Sequence, residues 1–322
     1  MLSTLLRTAA AAALLAASAL APAQTYPTQN VRIVVPFTPG TGMDTIARTV
    51  APKLQERLGQ PVVVMNQPGA SGNIGADQVA KSNPDGHTIL MGANTMLIAS
   101  QLYKNVPFDP LKDFAPVSMA AWGSLMLVAH PKTGFKSLAD FVAAAKARPG
   151  HVVYGSPGVG TPHHMAMELL KAQTGLFVLH VPYRGTAGYT QDLLGGELMV
   201  GFLPIHVAQG MVASGRVVPL AVGSAKRHSV APNVPTFAEL GVKGVDVDLW
   251  YAFYVPVKTP EPVVRRLNTE IASILQLPEV RDVLGKAGMD AASSTPQELA
   301  AQGAKDYPMW GALIKRNGIT AD

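Results

Sequence analysis

Short runs of β-branched and aliphatic residues alternate along this chain with stretches whose apolar positions recur every three or four residues. Residues 31–35, Val-Arg-Ile-Val-Val, read as a strand that stops at Pro36. Ile46, Val50, Leu54 and Leu58 follow at i, i+4 spacing and predict a helix, which Pro52 is expected to kink or shorten. Strands at 61–65 and 87–91 flank a helix over 76–81, and Asn83-Pro84-Asp85-Gly86 is a turn signal. This βαβαβ order implies a parallel sheet with right-handed crossovers.

The rhythm then restarts. Strands are expected at 125–129, 152–155, 177–181, 199–203 and 219–223, and helices at 138–147, 163–173, 189–194 and 205–214. The run Trp250-Tyr251-Ala252-Phe253-Tyr254 alternates with period two and reads as a core strand crossing between lobes rather than an aromatic ligand platform. Beyond 262 the chain is mostly helical. Val263, Leu267, Ile271, Ile274 and Leu275 form one stripe, and Pro278 starts a second helix with Val280, Val283 and Leu284. A third begins at Thr295-Pro296-Gln297-Glu298, where Thr295 can cap and Glu298 complete a capping box. The pattern is that of an α/β protein with two lobes, each a mainly β-α alternating sheet.

The first segment reads as an address. Arg7 gives a positive start, 9–20 is an unbroken apolar run of 12 residues, and Ala21-Pro22-Ala23 is a small-x-small cleavage pattern. Residues 1–23 are therefore expected to be a signal peptide removed on export. The run is shorter than the roughly 20 apolar residues that span a bilayer.

Composition narrows the classes. At 322 residues the chain exceeds one ordinary core, and 48% hydrophobic with 15% charged residues excludes a disordered chain. The net charge of +5 is spread out, with no basic stripe of the kind that marks nucleic-acid binding. With no cysteine, disulfides, thiolate metal sites, a cysteine nucleophile and a lipid-anchored cysteine are all excluded.

Candidate chemistry sits in five loops at strand ends, where open α/β sheets bind ligands. They are 36–44 (Pro-Phe-Thr-Pro-Gly-Thr-Gly-Met-Asp), 69–75 (Gly-Ala-Ser-Gly-Asn-Ile-Gly), 92–95 (Gly-Ala-Asn-Thr), 156–161 (Ser-Pro-Gly-Val-Gly-Thr) and 183–188 (Tyr-Arg-Gly-Thr-Ala-Gly). Small residues let backbone N–H groups approach a ligand, and helix N-termini favour anions without Arg or Lys. Each loop alone reads more readily as an ordinary tight turn; their equivalent placement carries the argument. Asp44 reads first as a helix N-cap shaping its loop. His163 is either a polar residue at a helix start or a ligand contact, and Arg184 either an exposed cation or a carboxylate clamp.

Enzyme patterns fail. Ser71 and Ser156 lack the G-x-S-x-G elbow, and neither a P-loop nor H-E-x-x-H occurs. Gly40-Thr41-Gly42 begins like a dinucleotide fingerprint but has Thr45 where the third Gly belongs. His163 and His164 are adjacent, so a helix cannot turn both to one metal.

Several stretches together resemble a known family: PFTPGTGMDTIAR (36–48), NQPGASGNIGADQVAKSNPDGHTILMG (66–92), YGSPGVGTPHH (154–164), HVPYRGTAGYTQDLLGGEL (180–198), NVPTFAELGV (233–242) and RRLNTEIASILQLPEVRDVL (265–284). In order and spacing they are similar to the extracytoplasmic solute receptors of tripartite tricarboxylate transporters, the Bug or TctC-like family. The resemblance implies a two-lobe periplasmic binding protein, or Venus-flytrap, fold. Lobe 1 would comprise 24–124 plus 247–322, and lobe 2 would comprise 125–246. It implies a ligand carboxylate held in the cleft by loop amides and water, with delivery to membrane permease subunits. The expected ligand-binding residues are Phe37, Thr38, Pro39, Gly40, Thr41, Met43, Asp44, Ser71, Asn94, Thr95, Ser156, Gly158, Val159, Gly160, Thr161, His163, Tyr183, Gly185, Thr186, Ala187, Gly188, Pro204 and His206.

The chain departs from the family pattern at Thr41, where a second Gly is usual, and at Ala187-Gly188, where Pro-Ala is usual. The stretch 202–206 has no acidic residue to hold an ammonium group, which points to a small organic carboxylate, a di- or tricarboxylate or an aromatic one, rather than an amino acid. No cofactor, metal or nucleic acid is implied, and a monomer is expected. Two rival readings remain: a sensor component docking on a receptor kinase, and a hydrolase on the same scaffold.

Overall fold

The computed structural model describes residues 26–245, 247 and 249–320; the expected export signal at 1–23 lies outside them. β1 (Val31–Val35), buried at four of five positions, pairs in parallel with β2 (Val62–Asn66) on one side and β3 (Thr88–Ala93) on the other. Between β1 and β2, α1 (Gly42–Leu58) buries the predicted stripe of Ile46, Val50, Leu54 and Leu58. It runs through Pro52 without ending. Pro52 faces solvent, where water can satisfy the carbonyl its missing N–H leaves without a partner. Then come α2 (Asn73–Ala80), α3 (Thr95–Leu102) and β4 (Phe114–Gly123).

Ser124 alone separates β4 from β5 (Leu125–Ala129), the first strand of the second sheet. α4 (Leu138–Ala147) follows, its first turn capped by the Ser137 hydroxyl. β6 (Val153–Ser156), α5 (Pro162–Thr174), β7 (Leu179–Pro182), α6 (Thr186–Gly195), β8 (Val200–Pro204), α7 (Ile205–Ala213) and β9 (Val218–Val222) complete this lobe. Its strand order is β7-β6-β8-β5-β9. The strand expected at 177–181 starts two residues later, and Phe177 is left 53% exposed.

The chain then returns. β10 (Leu249–Pro256), buried at every position, enters the first sheet between β3 and β4 and runs antiparallel to both. After α8 (Glu261–Leu275) and α9 (Pro278–Lys286), β11 (Met289–Ala291) takes the edge beside β4, giving the order β11-β4-β10-β3-β1-β2. α10 (Pro296–Arg316) starts with the expected capping box of Thr295 and Glu298. The parallel arrangement read from the sequence holds for β1 to β3 and for β6 to β8; the first sheet is mixed because the returning β10 and β11 run antiparallel to their neighbours, and the second because its first strand, β5, runs antiparallel to β8 and β9.

The two chain crossings lie side by side. The Gly223 N–H donates to the Leu125 carbonyl (2.8 Å), the Ile205 N–H to the Ser124 carbonyl (3.0 Å), and Leu249 pairs with Gly123. Among the described residues, no helix is long and apolar enough to cross a membrane.

Candidate functional site

Five helices begin at one place between the two sheets. A cavity of about 30 Å³ there is lined by Thr41, Gly42 and Met43 at the start of α1, and by Thr95 at the start of α3. Thr161, Pro162 and His163 line it at the start of α5, Thr186 at that of α6, and Pro204 just before α7. Phe37, Pro157, Leu249 and Tyr251 close its walls. No Lys, Arg, Asp or Glu lines it.

The first N–H groups of a helix lack partners within it and carry roughly half a positive charge. The Thr41 hydroxyl accepts from the Asp44 N–H (3.3 Å) and the Thr161 hydroxyl from the His164 N–H (3.4 Å). Among the described residues, the N–H groups of Gly42, Met43, His163 and Thr186 have no protein acceptor. The cavity is thus a cradle of backbone donors in an apolar wall, suited to an anion without a cationic side chain.

Burial, with a smaller contribution from His206, lowers the His163 pKa to about 3; its ring meets Tyr189 edge-on at 6.2 Å. In the first turn of α7, burial lowers the His206 pKa to about 4. Both imidazoles are neutral at pH 7, and neither His163 nitrogen nor the His206 Nε2 has a hydrogen-bond partner.

Thr41, not Asp44, caps α1. Asp44 lies three residues on and acts as a clasp. Its carboxylate accepts from the Gly40 N–H (3.0 Å), the Arg48 guanidinium (3.0 Å) and the Asn66 amide (2.9 Å). Burial alone would raise its pKa, but these hydrogen bonds and the Arg48 charge outweigh burial and hold it below the usual carboxylate range. Asn66 also donates to the Phe37 carbonyl (3.1 Å), so one polar cluster fixes the whole 37–44 loop.

The facing loop of the second lobe is fixed from behind. The Ser156 hydroxyl bonds the His180 Nε2 (2.7 Å) and accepts from the Gly158 N–H (3.2 Å). His164 Nδ1 accepts from the Gly160 N–H (3.2 Å), which puts the proton of that neutral ring on Nε2. His180 stacks on Tyr154 at 4.7 Å and on His164 at 4.4 Å.

The structure thus brings eight of the expected residues to the cavity: Phe37, Thr41, Met43, Thr95, Thr161, His163, Thr186 and Pro204. Others form the seam where the lobes touch. Gly158 faces Ser71, Gly185 faces Thr38, and Gly160 lies against Ala99 and Leu102. Ser71 also lines an adjoining cavity of about 10 Å³ in the first lobe. Gly40 and Ser156 shape loops, and Asn94 starts α3. The Tyr183 hydroxyl donates to Asp192. Pro39, Ala187 and Gly188 are exposed and off the lining, as is Arg184, and Val159 lines a groove with His164 and Lys171. His206 lies beside His163 but off the lining.

Gly42 and Pro157 lie in the named loops but were not among the expected contacts, and sequence reasoning missed Pro162, Leu249 and Tyr251. The signal for the last two was present: alternate positions of one strand share a face, and β10 turns 249 and 251 to the cleft. Among the described residues, no group of three or more His, Asp or Glu could hold a metal ion.

Comparison with known proteins agrees with this fold. The family model described as the tripartite tricarboxylate transporter family receptor matches residues 46–319. A relative from Pseudomonas sp. (strain P51), a UPF0065 protein in the tcbD-tcbE intergenic region, is 36% identical over 298 residues, covering 92% of this chain and 89% of its own. The solved structure of the periplasmic binding protein BugD superposes with a TM-score of 0.88 at 31% identity, covering 92% of this chain and 99% of that one. Rpa4515 of R. palustris, solved with adipate, gives a TM-score of 0.88 at 33% identity with the same coverage. These neighbours are binding proteins rather than enzymes, with two lobes. The chain belongs to the tripartite tricarboxylate transporter receptor family.

Proposed function

We propose that this protein is exported to the periplasm, where it captures a small organic carboxylate between its lobes and delivers it to the membrane subunits of a tripartite tricarboxylate-type transporter. The observation that carries this reading is the meeting of five helix N-termini at one cavity whose lining has no charged side chain. Such a site rewards a carboxylate and offers no carboxylate partner for an amino acid's ammonium group. The bound adipate in a neighbour of the same fold supports the ligand class.

The cavity of about 30 Å³ has room for only one or two waters. A carboxylate with several carbons therefore requires the lobes to part, and the crossing at 123–125, beside Gly223 and Leu249, is the place for the hinge. The test is a thermal-shift screen of residues 24–322 against mono-, di-, tri- and aromatic carboxylates, amino acids and sugars. A ligand at 100 times its Kd adds about 2.7 kcal/mol to apparent stability. A shift with carboxylates alone supports the proposal; a shift only with amino acids or sugars overturns it.

A further inference from the structure

His163 differs from Thr41 and Thr161, its polar neighbours on the cavity lining. The Thr41 and Thr161 hydroxyls already serve as helix caps. Both His163 ring nitrogens are buried with no hydrogen-bond partner, although the residue is only 7% exposed and lines the cavity. A buried polar group in that state is costly until something arrives to satisfy it.

The chemistry of the ring says what should arrive. A neutral imidazole has one N–H donor and one bare acceptor nitrogen. A carboxylate can accept from the N–H but has no proton for the acceptor. A hydroxyl can serve either. The lining also limits charge: one carboxylate can take the free helix-end N–H groups, but a second would be left with the Thr95, Thr186 and Tyr251 hydroxyls among Phe37, Met43, Leu249 and an uncharged ring, with no cationic side chain to replace its lost water.

We propose that His163 is the specificity-determining residue of this cavity, selecting a carboxylate whose far end carries one uncharged hydroxyl over the same skeleton ending in a methyl, a hydrogen or a second carboxylate. The inference rests on the carboxylate reading above and adds the class within it.

Matched ligands test it by calorimetry on the mature chain: 4-hydroxybutyrate against butyrate and succinate, 6-hydroxyhexanoate against hexanoate and adipate, and 4-hydroxybenzoate against benzoate and terephthalate. In at least one set the hydroxy acid should bind about tenfold or more tighter than both companions. His163→Leu should remove the preference over the plain acid, and His163→Asn, which keeps a donor and an acceptor, should retain part of it. Tightest binding of the dicarboxylates would overturn the inference and leave the carboxylate reading standing, as would a preference unchanged in His163→Leu. Binding of no carboxylate at all would overturn both. If His163→Leu fails to fold, the wild-type ranking and His163→Asn decide.

Discussion

Gly158 of the second lobe lies so close to Ser71 of the first that a Cβ on Gly158 would sit 2.5 Å from the Ser71 hydroxyl oxygen. Gly158 also has φ +148°, a backbone region that side chains disfavour. Gly158→Ala should hold the lobes apart and weaken carboxylate binding by about tenfold or more, because only the closed fraction binds tightly. Small-angle scattering should show a more extended particle. Adding Ser71→Ala removes the overlapping oxygen but not the backbone strain. Recovery of affinity in the double variant would identify steric contact across the seam as the cause.

The Asp44 clasp predicts a defined stability loss. Asp44→Ala leaves the Gly40 N–H and the Asn66 amide without their acceptor and should cost about 1–3 kcal/mol in urea unfolding. The sign of its pH dependence follows from a folded pKa held below the ordinary 3.8. The contribution is complete above about pH 4 and is lost as pH falls through the lower folded value. In wild type minus Asp44→Ala, the stability difference should shrink only below that point.

Four histidines, two buried and two half-buried, set a second acid response, at higher pH. Burial lowers His163 and His180 to about 3, and His164 and His206 to about 4, from an ordinary 6.5. The folded state keeps them neutral while the unfolded chain protonates below 6.5. Their contribution to stability is therefore complete above that pH and declines from there towards 3–4, by at most about 1.4 kcal/mol per histidine per pH unit. The melting temperature should fall between pH 7 and pH 5. The His163→Leu, His206→Leu double variant should show a shallower fall over the same range; an unchanged slope would count against these two rings.

Trp250 of β10 donates its indole N–H to the buried Asp306 of α10 (2.8 Å), which also accepts from Gln302 (2.9 Å). Asp306→Ala leaves both donors unpaired and should cost about 1–3 kcal/mol, with a changed tryptophan emission maximum. Asp306→Asn, keeping an acceptor oxygen, should cost less.

Much of the fold was legible because local signals agreed with tertiary demands. Leu138–Ala147 carried its cap in Ser137, and α10 its capping box. Phe114–Gly123 was not legible as a strand, since Pro116 interrupts it and its middle is a mixture of small residues. Pro116 is accommodated at a register shift beside Tyr254, a feature no local pattern announces. The site divided likewise. Helix starts in glycine-rich loops pointed to Thr41, Thr161 and Thr186. Leu249 and Tyr251 were hidden because both faces of β10 pack into core, and only the start of one face also walls the cavity. The glycines that proved to be seam rather than cradle could not be separated by sequence, since both roles require the same absence of a side chain.

The position of β10 also governs how the molecule can be assembled. It is an inner strand of the first sheet, and without it β11 and β4 on one side and β3, β1 and β2 on the other would face each other with unpaired edges. A chain made from its N-terminus reaches β10 only after all five strands of the second sheet. The middle of the sequence can therefore mature as a unit while the beginning waits, its β3 and β4 edges open to foreign strands. The first sheet closes only after the second is made, so the receptor cannot form its ligand cradle before the chain has been built through β10.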